Sequence, residues 1–379
     1  MSPATTAPPA TESPMPADRN TPSDQENVPL LLQGDRFEDT FRQSSVDYQR
    51  RFRAQLRTLP SHLPEPALVA FTSAHDAEID RLSLELGLQG YPLYRIDADD
   101  CADHRLVLDP DAGTMCIDGL LVRPELLWIR HFMPNAIMVN GSAVVSRYIR
   151  DQWTAVLEIV REWPTTHINP PASRRASRLA QLRQAAALGI RVPDTVLASS
   201  AEEAAAALTC PPTELIAKVA GDHFVQHEPG QVTGVFPRRV PAAASATEPV
   251  PLLFQRYVPH DREVRVFNVG DELLAYEVRK SDPRDVWAQP EAVAVTAVDV
   301  PDRLAEPVTT LLGCTRYAFS GFDFLITPDG TPVFLECNAN GDWAWFERGA
   351  GDDRVSRAAL HYFTTHPALS PTAVRDFRG

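Results

Sequence analysis

At 379 residues and 44% hydrophobic, the chain can bury more than one core, and a cleft between compact units is expected. Fifty acidic against 36 basic residues give a formal charge of −14, which argues against nucleic acid and anionic membrane as partners. No apolar run approaches the roughly 20 residues that span a bilayer, the first residues lack the charged-then-apolar pattern of a signal peptide, and five scattered cysteines read as reduced thiols; a cytoplasmic protein is expected.

Residues 1–29 are rich in Pro, Ser, Thr and Ala and read as a disordered tail. Phe37, Phe41, Tyr48 and Phe52 recur at near-helical spacing, so an amphipathic arm is expected over 30–62. Strand and helix then alternate across 63–164: a strand at 67–73, a helix at 75–88, a strand and hairpin, a buried strand at 126–132 and a long helix at 145–163. A small α+β unit follows at 165–254, with helices at 173–190 and 201–208, the strand 214–220, and a loop carrying three glycines. The remainder, 255–379, is rich in strands. The fold class is therefore α/β and α+β.

The strongest local signal is GFDFLITPDGTPVFLECNANGDW, two apolar strands joined at Asp329-Gly330. Alternation puts Glu336, Asn338 and Asn340 on one face and Leu335 and Cys337 on the other, while Asp323 meets that face across the hairpin. Two carboxylates and an amide oxygen form an all-oxygen set of the kind Mg2+ takes beside substrate phosphates. The competing reading is a solvated strand edge, against which stand the flanking Phe322, Phe324 and Phe334.

Lys218 and Lys280 are the only lysines in an arginine-rich chain. Lys218 lies on a strand before the glycine-containing loop, where an ammonium could hold nucleotide phosphate. Glu263 and Arg265 share a strand face, and Arg279 is expected to reach the same cavity across the Gly270-Asp271 hairpin; such arginines could stabilise a transferring phosphoryl group or form a surface charge pair. The arginines between Arg147 and Arg191 could steer an acidic substrate or form a solvated helix face.

The order of these elements resembles the ATP-grasp superfamily over residues 165–366, with a pre-ATP-grasp domain before it. VFLECNANGDWAWFE is similar to the signature of the graspetide (microviridin-type) ribosomal peptide maturases, Trp128-Ile129-Arg130 to their first-domain aromatic-x-Arg strand, and Asn169-Pro170 to the entry of their small domain. The resemblance implies ATP and Mg2+ as cofactors, with Lys218 and Arg178 on nucleotide phosphate, Gln255, Arg256, Tyr257 and Val258 around the adenine, and Asp261 at the ribose. Asp323, Glu336 and Asn338 would hold Mg2+, and Arg265 and Arg279 would steady an acyl phosphate. It implies a ligase that joins side chains of a precursor peptide rich in Asp/Glu and Thr/Ser/Lys through ω-ester or ω-amide links, and it allows a homodimer. Departures are Ala339 for the usual Pro, Asp342 for Gln, Arg178 where a second lysine is common, and 281–287 as a rough substitute for a D-W-R stretch. A free-standing amino-acid ligase and a non-catalytic nucleotide-binding scaffold are the alternatives.

Overall fold

The computed structural model describes residues 36–38, 65–137, 139, 141–170, 177–221, 224–228, 231–234, 237–241, 250–280 and 292–371. Of the expected N-terminal arm, only β1 (Arg36–Glu38) lies within them. It is extended rather than helical there, because its backbone pairs antiparallel with a strand almost 200 residues later, Arg36 opposite Thr233.

The first sheet contains β2 (Glu65–Thr72), β3 (Leu93–Asp97), β4 (Leu106–Asp109), β5 (Thr114–Ile117), β6 (Leu120–Ile129) and β7 (Thr166–Ile168). Its order is β3-β2-β6-β5-β4, with β7 also on β6; β3, β2, β6 and β7 run parallel, and β4-β5-β6 form an antiparallel meander. α1 (Ala77–Leu88) crosses over between β2 and β3, started by Asp76, which accepts the Ile79 N–H at 3.1 Å. α2 (Ala143–Arg161) follows the sheet, capped by Ser142. Strand alternation divides the sheet cleanly. Ala67, Val69 and Phe71 face α2, whereas Leu68 and Ala70 face α1 and the C-terminal part of the chain.

α3 (Arg178–Ala187) leads into β8 (Thr195–Ala198), α4 (Ala201–Leu208) and β9 (Leu215–Val219). β10 (Phe224–Glu228) and β11 (Gln231–Gly234) form a hairpin, and β12 (Arg238–Arg239) and β13 (Leu252–Arg256) complete a four-stranded antiparallel sheet in the order β12-β9-β13-β8. Ala201, Ala204 and Ala205 of α4 pack on Leu215, Ala217 and Phe254, and their small side chains let the helix lie close to the strands.

β14 (Arg262–Val269), β15 (Glu272–Arg279), β16 (Ala294–Val298), α5 (Asp302–Thr315), β17 (Phe319–Ile326), β18 (Pro332–Asn338), α6 (Ala344–Ala350) and α7 (Arg354–Thr365) build the last unit. Its five strands are all antiparallel, in the order β16-β15-β14-β17-β18. Val264, Val266, Phe322 and Phe324 pack under α3 and α5 on one face. On the other, Phe267, Tyr276 and Phe319 join Leu68, Trp128, Trp343 and Phe363 in a core shared with the first sheet. The outer edge of β18 is closed by the Gln181 amide, which takes the Cys337 N–H at 2.7 Å and donates to its carbonyl at 3.2 Å.

The candidate active site

A cavity of about 290 Å3 opens between the small sheet and the C-terminal sheet, roofed by Ile216 and Lys218 and floored by Glu263, Arg265, Val278, Asp323 and Glu336. Residues 255–258 and His260 form its back wall where the chain passes from one unit to the other. Antiparallel register assembles the floor, with Arg265 opposite Asp323 on β17 and Asp323 opposite Glu336 on β18. Asn338 stands opposite Gly321 and donates its amide N–H to Asp323 Oδ2 at 3.1 Å, which leaves the amide oxygen as an acceptor.

Between Asp323 and Phe324 the ladder slips, so that Phe324 pairs with Phe334 and one residue of β18 is extra. The bulge corrects the expected alternation. Leu335 lines the cavity together with Glu336 instead of facing away, while Cys337 stays in the core behind the sheet.

Arg265 Nε is buried without a hydrogen-bond partner, 3.5 Å from Asp323 Oδ1. Its guanidinium rests against the rings of Phe267 and Phe346, 5.3 and 5.0 Å from their centroids. It fits only because position 321 is glycine: a Cβ there would lie 2.6 Å from Arg265 Nε. Burial, with Glu336 and Glu263 nearby, pushes the Asp323 carboxyl up to about 6 in spite of Arg265.

Arg178 Nε donates to Glu336 Oε2 at 2.7 Å, and its Nη1 reaches the carbonyls of Val219 and Gly221. It thereby ties the strand that carries Glu336 to the start of the glycine-containing loop. Lys218 is held below the usual lysine range by burial, with Glu336 opposing and Arg178 adding to the shift. Gln255 donates to Thr195 Oγ1 at 3.0 Å, Arg256 pairs with Glu214 at 3.1 Å, and the Tyr257 ring lies under the Arg239 guanidinium at 3.7 Å. The Val258 carbonyl accepts from His260 Nδ1 at 2.7 Å.

Two of the expected residues lie elsewhere. Arg279 is 65% exposed and pairs with Glu277 at 2.7 Å, because Arg265 faces Tyr276 across the hairpin and every second residue from there, Tyr276 and Val278, turns to the cavity side. Asp261 is exposed and absent from the cavity lining; its backbone N–H bonds Ile326 O at 3.0 Å. In their places the cavity holds Lys280, whose Nζ is 2.7 Å from Glu263 Oε2, and His260, 3.5 Å from Glu263 Oε1. Against the cost of burial, Lys280 and His260 keep the Glu263 carboxyl below the usual glutamate range. The signal for Lys280 was its rarity, which marked it together with Lys218.

A second charged cluster lies where the signature segment meets the first sheet. Arg130, fully buried, donates to Asp76 at 2.8 Å and to the Asn340 carbonyl at 2.8 Å, and its Cζ lies 4.8 and 5.1 Å from the ring centroids of Trp128 and Trp343. Asn340 returns a bond to the Arg130 carbonyl at 2.6 Å, so it is taken up by this junction rather than by the cavity floor with Asp323, Glu336 and Asn338. Glu78 accepts the N–H groups of Trp343 and Ala344, both at 2.8 Å, at the start of α6. Asn169, at φ 60°, bridges to the Phe319 backbone through both amide atoms.

The sequence matches no protein-family model and no curated protein. Its architecture is similar to that of macrocyclase MdnC from Microcystis aeruginosa MRC bound with precursor peptide MdnA, at TM-score 0.63 and 17% identity over 78% of this chain and 98% of that one. The ATP-grasp ligase PsnB, complexed with a phosphomimetic variant of its minimal precursor, Mg and ADP, gives 0.62 and 16% over 79% and 99%. A RiPP-associated ATP-grasp ligase from Chryseobacterium gregarium, with ADP, leader and core peptide, gives 0.60 and 17% over 78% and 95%. This chain has the ATP-grasp fold. The cavity between its small and C-terminal sheets is where Lys218, Arg265, Asp323, Glu336 and Asn338 converge.

Proposed function

We propose that the protein is an ADP-forming ligase that activates a side-chain carboxylate of a ribosomally made peptide and joins it to a hydroxyl or amine of the same peptide. The observation that carries this reading is the convergence of a cationic Arg265 lacking a partner at Nε with Asp323, Glu336 and Asn338 on one floor, beneath Lys218. A nucleotide between the two sheets would have its phosphates within reach of Lys218 and Arg178 and its base against residues 255–258. Glu263, rather than the exposed Asp261, is the carboxylate suited to the ribose.

The floor fits Mg2+. Among the described residues no group of three or more His, Cys, Asp or Glu could hold a metal, but Asp323, Glu336 and the Asn338 amide oxygen would supply the all-oxygen donors that suit Mg2+ beside nucleotide phosphate. Bound there, Mg2+ would neutralise charge on the nucleotide phosphates. The chain's own residues orient and shield. Arg265 sits where charge spreads over the transferring phosphoryl group as a substrate carboxylate oxygen attacks the γ-phosphorus and ADP departs. The nucleophile then attacks the acyl carbon, phosphate leaves with the oxygen of the former carboxylate, and the nucleophile's proton passes to phosphate or water. The similar proteins bound to precursor peptides support a peptide substrate, and an Asp/Glu-rich peptide carrying Thr, Ser or Lys supplies both reacting groups.

The test is ADP release with Mg2+, comparing no substrate, a panel of amino acids, and an Asp/Glu- and Thr/Lys-containing peptide encoded beside the gene, with product mass followed in parallel. Peptide-dependent release with loss of one water per bond is expected. Release with free amino acids alone would make the protein a small-molecule ligase, and no release in any arm would leave a nucleotide-binding scaffold.

A further inference from the structure

One carboxylate in the cavity wall has no part in the floor. Asp342 stands in the loop between β18 and α6 and lines the cavity together with Trp345 and Phe346. It is held from the first sheet: His131 Nε2 donates to Asp342 Oδ1 at 2.7 Å, and Arg130 Nη2 donates to the same oxygen at 3.3 Å. Among the described residues no hydrogen bond goes to its other oxygen, Oδ2. The side chain is 59% exposed at the cavity wall, so a further donor can reach it. The junction does not depend on Asp342, because Arg130 already has Asp76 and the Asn340 carbonyl, both at 2.8 Å.

The topology of the first sheet points to the same place. From β2 the chain continues to β3 on one side, and from β6 to β7 on the other, with α1 and α2 on opposite faces. The carboxyl ends of β2 and β6 therefore flank a switch point, where open α/β sheets take their ligands. Arg130 and His131 follow β6 at that point. We infer that Asp342 receives the attacking group as a primary ammonium, with His131 as its positioning residue, so that the nucleophile is a lysine side chain and the bond formed is an ω-amide. This inference rests on the ligase reading above and names the substrate class of that site.

Charge selects an amine over a hydroxyl. Desolvation at Asp342 is outweighed by His131, Arg130 and Arg265, which hold its carboxyl well below the usual aspartate range. So acidic a carboxylate is a poor base for a hydroxyl, but it stays charged through the neutral range and bonds a cationic donor strongly. Arg265 then faces the acyl phosphate and Asp342 the amine that attacks it. The ammonium loses one proton to water, and its nitrogen bonds to the acyl carbon. The acyl C–O bond breaks with its electron pair on phosphate, a second proton leaves with the phosphate, and the third stays on the amide nitrogen.

The experiment gives the full chain ATP, Mg2+ and the peptide encoded beside the gene in two synthetic versions, with Lys or with Thr at every Ser, Thr and Lys position. Hydroxylamine, a small uncharged nucleophile that converts an acyl phosphate to a hydroxamate, is added to the Thr version in a parallel arm. Wild type is expected to join the Lys version and not the Thr version. Asp342→Asn should raise KM for the Lys version roughly 10- to 100-fold, as loss of a hydrogen bond to a charged group does, and lower the hydroxamate yield far less. His131→Phe should raise the same KM with little change in kcat, and His131→Gln, which keeps a donor for Asp342, should restore it; this pair decides if Asp342→Asn fails to fold. A wild type that joins the Thr version as readily, or Asp342→Asn and His131→Phe enzymes that join the Lys version with wild-type KM, overturns the inference while hydroxamate formation leaves the ligase reading standing. No ADP and no hydroxamate in any arm overturns both.

Discussion

Two arginines set among carboxylates, the fully buried Arg130 and the half-buried Arg265, are finished differently. Around Arg130, charges and backbone groups are matched: Asp76, Glu78 and the Asn340 carbonyl take its donors, and Asn340 returns a bond. Around Arg265, Nε has no partner, Asp323 stands 3.5 Å away, and the cation is held by ring faces and by the missing side chain of Gly321. A saturated network resists rearrangement and suits a joint between units. An unsaturated one costs stability and leaves hydrogen-bonding capacity for a ligand. On this reading the first arginine is structural and the second functional, although both sit at the sheet face that joins the first and last units.

The largest effects should separate the two. Arg265→Met is expected to lower turnover by about 100- to 1,000-fold, the range for losing one preorganised donor, while the melting temperature stays or rises. Arg130→Met should do the reverse to stability, costing about 3–5 kcal/mol because it strands Asp76 and Glu78 in the interior, as read by denaturant unfolding. Gly321→Ala pushes the Arg265 guanidinium aside and should cost activity by an intermediate factor, with lysine at position 265 in the double variant failing to restore it.

A subtler difference lies in pH. Asp323 is raised from 3.8 to about 6, so its proton favours the folded, metal-free protein. That advantage is complete below pH 3.8 and is lost as pH rises through 6. Mg2+ needs the carboxylate, so its affinity, followed by calorimetry, should weaken progressively as pH falls below about 6. The smallest effect is at Arg279. Its replacement by Ala should leave activity within about twofold, since surface pairs such as the one with Glu277 contribute little.

How much of this the sequence carried depended on range. The hairpin that brings Asp323, Glu336 and Asn338 to the cavity was legible because strand pairing and the Asp329-Gly330 turn are local, and Lys218 stood out against the arginine background. The side on which Arg279 emerges was also within reach: a two-residue turn at Gly270-Asp271 pairs Val269 with Glu272, and counting back sets Arg265 against Tyr276. The Leu335 bulge was not, since one extra residue in a ladder leaves no mark on composition. Nor was the Arg130 joint, whose partners lie 54 and 210 residues away and become neighbours only when the units pack.

If the cavity between the small and C-terminal sheets takes a magnesium nucleotide, binding there depends on both Mg2+ and Glu336. Titrating a non-hydrolysable ATP analogue into wild type and Glu336→Gln, with Mg2+ or with chelator, tests it most directly. One site per chain is expected, tight with Mg2+ in wild type and markedly weakened by chelator or by the substitution. Binding that ignores both Mg2+ and Glu336, or no binding at all, would contradict it.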